Sequence, residues 1–172
     1  MADSRQTHPG GIPRTHDFAL KDLALLAGLT IISILIMGYH PGLEDDSFYL
    51  AAIKKHLTPA LFPHDAEYFR VHFQATIFDK AVALSVWIFH LPLAWMDLVW
   101  QFAAVFFVLL GCWRISRRCF VRTQAHWGSV SLVAALLSMP LPGIAILLGD
   151  QYLHPRTIAT AAILAAVAIV RG

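Results

Sequence analysis

Long apolar runs without charged residues are the feature that most limits what this chain can fold into, and four of them contain neither histidine nor the boundary residue Asp97. They cover Leu23–Tyr39, Leu98–Trp113, Val130–Leu148 and Thr157–Val170. About 20 helical residues cross a hydrocarbon core of roughly 30 Å. Charged residues make up only 14% of the chain, whereas a soluble domain has about 25%. The pattern therefore predicts an integral membrane protein.

We expect an all-α fold, namely a polytopic transmembrane helix bundle with a large outer loop that contains juxtamembrane helices. A disordered cytoplasmic tail is predicted over residues 1–20, where Pro and Gly are frequent and no apolar period occurs. The transmembrane helical domain is predicted over 21–172, with spans at about 22–39, 97–114, 129–148 and 156–171. The outer loop, residues 40–96, is predicted to contain interfacial helices at 47–57 and 65–92.

The distribution of arginine sets the expected orientation. The densest basic cluster is Arg114, Arg117, Arg118 and Arg122, and such clusters stay on the cytoplasmic side. If the N-terminal tail is also cytoplasmic, only one crossing fits between the first run and this cluster. Residues 81–96 contain a histidine and a proline, so we expect them to be interfacial or re-entrant, although hydropathy alone would allow a span. We expect the chain to lie in a bacterial inner (plasma) membrane.

Two adjacent carboxylates, Asp45 and Asp46, follow the predicted outer end of the first span. Like charges this close raise the proton affinity of one of them, and a carboxylate near a membrane surface can act as a general base toward a hydroxyl or amine. The alternative is an N-cap, in which an aspartate accepts hydrogen bonds from the first amides of the loop helix. Both interpretations remain open at this stage.

The second outer loop, residues 149–156, contains Asp150, His154 and Arg156. These side chains are predicted to lie on the same face of the membrane as Asp45 and Asp46. Arg156 could bind a phosphate through its planar set of donors, or it could simply anchor the end of the next helix. All three residues are candidates for substrate binding.

Several common binding classes find little support in the sequence. A net charge of +2, with the basic residues beside apolar runs, does not indicate nucleic acid. The histidines at 56, 64 and 72 lack helical ligand spacing, because prolines interrupt them. Cys112 and Cys119 form no CxxC motif and are interpreted as reduced structural cysteines. We expect no cofactor, with a divalent metal ion left open.

The layout resembles the N-terminal part of the GT-C class of integral membrane glycosyltransferases, over most of residues 20–172. The resemblance rests on His40–Tyr49 (HPGLEDDSFY), on Leu61–Asp65 (LFPHD), on Arg114–Arg118 (RISRR) after a span, and on Asp150 in the next outer loop. In that class an outward first helix is followed by a long outer loop, which begins with an acidic pair or a single aspartate and contains juxtamembrane helices.

The resemblance implies transfer of a sugar from a polyprenyl-phosphate donor, with inversion, on the non-cytoplasmic face. It implies that Asp45 or Asp46 deprotonates the acceptor, while Arg156, with His154, steadies the departing lipid phosphate. Lys54 and Lys55 in the outer loop are further candidates for substrate binding. Members of the class usually have more spans, so the chain is expected to form the front part of such an enzyme.

Two other classes of function are weighed against this one. The first is a non-catalytic subunit or scaffold whose helices bind partner membrane helices, because the last run is rich in small residues (Ala159, Ala161, Ala162, Ala165, Ala166 and Ala168). The second is a transporter or channel, for which intramembrane ionisable residues are expected. The four runs contain almost none, and Asp97 lies near an end.

Overall fold

The computed structural model describes residues 20–65, 67–69, 71, 76–137, 139 and 149–170, and all regular structure within them is helical. This confirms the predicted all-α class for that part of the chain; the predicted tail lies almost wholly outside it. The elements are α1 (Leu20–Met37), α2 (Asp46–Leu57), a 3-10 turn (Pro63–Asp65), α3 (Phe78–Phe89), α4 (Leu93–Cys119), α5 (Thr123–Leu136) and α6 (Pro155–Val170).

Helices α1, α4, α5 and α6 pack around one apolar core. The backbone N–H of Gly149, which precedes α6, donates to the carbonyl of Leu137 at 2.8 Å, and a Cβ at Gly149 would lie 3.2 Å from Met37 Sδ. The ends of α1 and α5 and the start of α6 therefore meet, and we call this the loop end. At the other end, Ser116 Oγ on α4 donates to the carbonyl of His126 at the start of α5. We call this the arginine end, since the basic cluster lies there.

Two of the described helices, α1 and α4, are long and apolar enough to cross a membrane, with 18 and 27 residues. Helix α6 is apolar but shorter, with 16 residues. The third predicted span, 129–148, is described over its first part, where α5 ends at Leu136. Pro140 and Pro142, in the same run, lie outside the described residues.

Helices α2 and α3 pack beside the loop end around a second, smaller core. Ile53 of α2 and Val82 of α3 are almost fully buried there, together with Leu153 from the segment before α6. The predicted loop helix at 47–57 corresponds to α2. Within the predicted helix at 65–92, residues 67–69 and 71 are helical. Helix α3 begins at Phe78, whose amide donates to Thr76 Oγ1 at 3.1 Å, and it ends where His90 adopts a left-handed conformation.

Candidate functional site

Two loops that are far apart in sequence are joined at the loop end. The backbone N–H of His40, three residues after α1, donates to the carbonyl of Gln151 at 2.8 Å. From α4, Gln101 Nε2 donates to the carbonyl of Asp150 at 2.9 Å, and Gln101 is almost fully buried. The residues that follow α1 and those that precede α6 are therefore fixed against the first turns of α4.

Asp46 is buried within this junction, with only 1% of its surface exposed. Its carboxylate accepts a hydrogen bond from the amide of Gly42, where a positive φ of 83° makes glycine the favourable residue for the turn. Burial raises the pKa of Asp46 to about 6, and the nearby Asp97 charge adds to this, although the Gly42 amide acts in the opposite direction. Asp46 thus binds a proton more tightly than an ordinary aspartate.

Asp97 lies on the first turns of α4, within electrostatic range of Asp46, and is equally buried. The Tyr39 hydroxyl donates a hydrogen bond to Asp97 Oδ2, with 2.6 Å between the two oxygens. Asp97 Oδ1 and Gln101 Oε1 are buried and have no hydrogen-bond partner among the residues that the structure describes. The loop end therefore contains a second carboxylate, tied to the end of α1 through a tyrosine.

Asp45 has a different environment from Asp46. It occupies the N-cap position of α2, but its side chain makes no capping hydrogen bond. Its backbone carbonyl accepts from the amides of Phe48 and Tyr49 at 3.0 and 3.4 Å. The structure therefore does not show the side-chain N-cap that was the alternative interpretation of the acidic pair. The Asp45 side chain is exposed and accessible to a substrate.

Asp150 and Arg156, both predicted as site residues, form an ion pair. Arg156 NH2 donates to both carboxylate oxygens of Asp150, at 2.9 Å each. The Asp150 side chain is 6% exposed and that of Arg156 is 39% exposed. The buried carboxylate thus orients the guanidinium at the surface of the loop end. Arg156 Nε is buried and has no hydrogen-bond partner among the described residues.

His154 is held in one tautomer by its own loop. The backbone N–H of Arg156 donates to His154 Nδ1 over 3.0 Å, so the proton of the neutral ring must lie on Nε2. Burial lowers the pKa of His154, which favours this neutral form. The ring also packs edge-to-face with Tyr49, with centroids 5.4 Å apart, and against Tyr152 at 6.1 Å.

The acidic loop and the His154–Arg156 segment are within electrostatic range of each other. Burial raises the pKa of Tyr152 to about 12, with further contributions from Asp150, Glu44 and Asp45. The charges of Asp45 and Asp150 also oppose the lowering of the His154 pKa by burial. Asp45, Asp46 and Asp150 thus all lie at the loop end, in the grouping expected from the sequence.

The lysines predicted to bind substrate lie elsewhere on α2. Lys55 Nζ donates to the carbonyls of Pro59 and Leu61, at 2.7 and 2.5 Å, and so closes the loop that follows the helix. Lys54 is exposed on the same last turn. Eight helical residues place Lys54 about 12 Å from Asp46 along the axis. The structure therefore does not bring either lysine to the junction of the two loops.

Three residues of the loop end were not among the predicted site residues, namely Tyr39, Asp97 and Gln101. Asp97 and Gln101 are four residues apart, a spacing that places both on one face of a helix. A carboxylate and a carboxamide at that spacing, beside an otherwise apolar run, were the available signal. Tyr39 gave no such signal, because an aromatic residue at the end of a span usually marks the membrane boundary.

No group of three or more histidine, cysteine, aspartate or glutamate side chains that could hold a metal ion occurs within the described ranges. His56 lies on α2 and His64 in the 3-10 turn; position 72 is outside the described residues. The cysteines at 112 and 119 are not bonded to each other.

Comparison with known protein families, with curated proteins and with solved structures finds no match to this chain. An assignment of function therefore depends on the residues at the loop end and on the surface of the helices around them.

Proposed function

We propose that this chain is the N-terminal membrane module of a glycosyltransferase that moves a sugar from a polyprenyl-phosphate donor to an acceptor on the non-cytoplasmic face of a membrane. The observation that carries the proposal is the junction at the loop end. It joins a loop with an exposed aspartate, Asp45, to a loop with an oriented arginine, Arg156. A base and an anion-binding group are the two parts that transfer from a phosphate donor requires.

The surface of the bundle supports the membrane placement. Leu35 and Ile36 on α1 and Phe107 on α4 are each more than half exposed. Large contiguous apolar surfaces of this kind are rare on soluble monomers and favour contact with lipid. We place α1 and α4 across the membrane, with α5 and α6 packed against them. The arginine end then faces the cytoplasm, and the loop end faces outward.

Asp45 is the general base in this proposal. It takes the proton from an acceptor hydroxyl while the oxygen forms a bond to the anomeric carbon of the sugar from the face opposite the phosphate. The bond between the anomeric carbon and the phosphate oxygen breaks, and the phosphate leaves with the electron pair. Asp46 is a positioning residue, because its buried carboxylate holds the turn at Gly42 and thereby fixes its neighbour.

Arg156 and His154 stabilise the departing lipid phosphate. The guanidinium supplies positive charge and planar donors, and the neutral His154 offers its Nε2–H. Asp150 holds the guanidinium in place and partly compensates its charge. A phosphate that gains negative charge as the bond breaks would be bound more tightly in the transition state than in the donor, which is the condition for catalysis.

The test is sugar transfer by the full-length gene product in membranes, with a labelled polyprenyl-phosphate sugar as donor. Asp45→Asn should lower the transfer rate about 10²- to 10⁴-fold, the contribution of a general base. Asp65→Asn, an exposed aspartate in the 3-10 turn, is the matched control and should retain the native rate. Unchanged transfer in the Asp45→Asn protein would rule out this mechanism.

A second candidate function is a non-catalytic subunit that binds partner membrane helices. Ala159, Ala162 and Ala166 on α6 are exposed, whereas Ala161 and Ala168 pack into the bundle. Small residues at such spacing allow close approach of another helix. Replacement of Ala162 by Leu should then release a partner that co-purifies with the native chain. Retention of that partner would count against this candidate.

A further inference from the structure

Helices α3 and α4 are joined by a short turn that carries an exposed apolar surface. His90 adopts φ 54° at the end of α3, and Pro92 precedes α4. No Asp, Glu, Lys or Arg occurs between Lys80 and Asp97. The exposed large side chains around the turn are Trp87, Ile88, Phe89, Leu91 and Trp95, and we call this set the aromatic tip.

The exposure of the aromatic tip is large for residues of this kind. Trp87 is 72% exposed, Phe89 65% and Trp95 62%. The indole nitrogen of nearby Trp100 donates to Ser85 Oγ over 2.9 Å. The indoles of Trp87 and Trp95, in contrast, have no hydrogen-bond partner among the residues that the structure describes. A tryptophan with an apolar body and an unpaired N–H suits a boundary between hydrocarbon and polar groups.

The position of Trp95 along α4 matches such a boundary. Trp95 and Arg114 are 19 residues apart on one continuous helix, a rise of about 28 Å. This is close to the roughly 30 Å thickness of a hydrocarbon core. If the exposed Arg114 lies at the cytoplasmic boundary, Trp95 lies at the outer boundary. The exposed surface then continues from Trp95 through Val99 to Phe107, along the part of α4 that faces lipid.

We propose that the aromatic tip inserts into the headgroup region of the outer leaflet and anchors the loop end at a fixed depth. This rests on the membrane placement of α4 in the proposed function, but not on sugar transfer. A lipid surface is favoured over a protein partner because the turn contains no Asp, Glu, Lys or Arg, offers two unpaired indole N–H groups, and continues the lipid-facing surface of α4.

Helix α3 connects the aromatic tip to the loop end. Val82 and Ala83 of α3 lie in the same small core as Ile53 of α2, the helix that begins beside Asp45. Ser85 is tied to α4 through the Trp100 hydrogen bond. Insertion of the tip therefore sets the height of α2 above the membrane, and with it the distance from Asp45 to the plane in which a lipid phosphate lies.

The test uses the full chain in phosphatidylcholine–phosphatidylglycerol vesicles with lipids brominated near the top, the middle or the end of the acyl chains. Trp87→Phe and Trp95→Phe are made one at a time, and the difference from the native emission isolates the replaced tryptophan. Each variant carries only one conservative change. The fluorescence of Trp87 and of Trp95 should be quenched most strongly by bromine near the top of the acyl chains. Iodide added to the water should not quench it. Trp127→Phe is the matched control from the arginine end.

Three results would overturn the inference. Quenching by iodide with no effect of bromine would place the tip in water. Resistance to both would show that a protein, or a second copy of the chain, covers it. Strongest quenching by the deepest bromine would show that residues 81–96 dip toward the bilayer centre. Alkaline extraction of the vesicles tests the placement of α4 separately, because an α4 that spans the membrane keeps the chain in the pellet in each case.

Discussion

Replacement of Asp46 by asparagine should stabilise the protein at neutral pH. Asparagine keeps an oxygen that can accept the Gly42 amide hydrogen bond but cannot carry a charge. The pKa of Asp46 in the folded chain, about 6, exceeds its ordinary value of 3.8. The folded state therefore binds the proton more tightly than the unfolded state, and this contribution to stability is fully present below about pH 4. It is lost as the pH rises through 6.

The magnitude follows from the two pKa values. Each tenfold change in proton affinity equals about 1.4 kcal/mol, so the rise from 3.8 to about 6 corresponds to at most about 3 kcal/mol. The neighbouring residues 41–45 are exposed, and solvent close to the carboxylate screens its charge. We therefore expect about 1–2 kcal/mol of added stability in the Asp46→Asn variant above pH 7, and little difference from the native protein at pH 4.

Reversible urea unfolding in detergent micelles, followed by circular dichroism from pH 4 to 8, measures this difference directly. The Asp65→Asn variant is the matched control, since it removes an exposed carboxylate from the 3-10 turn. If Asp46→Asn is instead less stable than the native protein at pH 7, the hydrogen bond from the Gly42 amide to the charged carboxylate outweighs the cost of burying that charge. The argument from burial would then be refuted.

Three further variants probe the packing and the hydrogen bonds of the bundle. Gly111→Ala should lower the free energy of unfolding by about 1–3 kcal/mol, because a Cβ there would lie 2.6 Å from Leu164 Cβ. Gly128→Ala on α5 meets nothing within 4 Å and should be neutral or add about 0.5–1 kcal/mol. Thermal unfolding in detergent compares the two, and equal midpoints would contradict the close approach of α4 and α6. Tyr39→Phe should cost about 1–3 kcal/mol at pH 7 by removing the donor to buried Asp97, and urea unfolding with no loss would show that this bond contributes nothing.

The helical class and the two long helices could be predicted from the sequence, because both depend on local pattern. The absence of charge over residues 23–39 is visible without any tertiary information. The bounds of α3 were not predictable in the same way, since apolar residues continue on both sides of His90. The left-handed conformation of His90 and the cap from Thr76 decide where the helix ends and begins.

The site could be predicted only in part, because its residues meet through tertiary contacts. The grouping of Asp150 with Arg156 follows from six residues of separation in one loop. The burial of Asp46 next to an exposed Asp45 does not follow from two adjacent aspartates. It depends on α4, whose Asp97 and Gln101 bind the loops on either side. A pattern along one segment cannot reveal which of two neighbours another helix will cover.

The burial of both Asp46 and Asp97 at the loop end has a consequence for function. Two buried carboxylates at the end of a long apolar helix oppose stability, and a fold could replace them with apolar residues at lower cost. Sites that hold such groups often trade stability for activity. If Asp46→Asn gains stability and also lowers sugar transfer, both effects have one cause, namely a buried acidic junction that fixes Asp45. A variant that gains stability and transfers at the native rate would separate the junction from the chemistry, and the buried pair would then need another explanation.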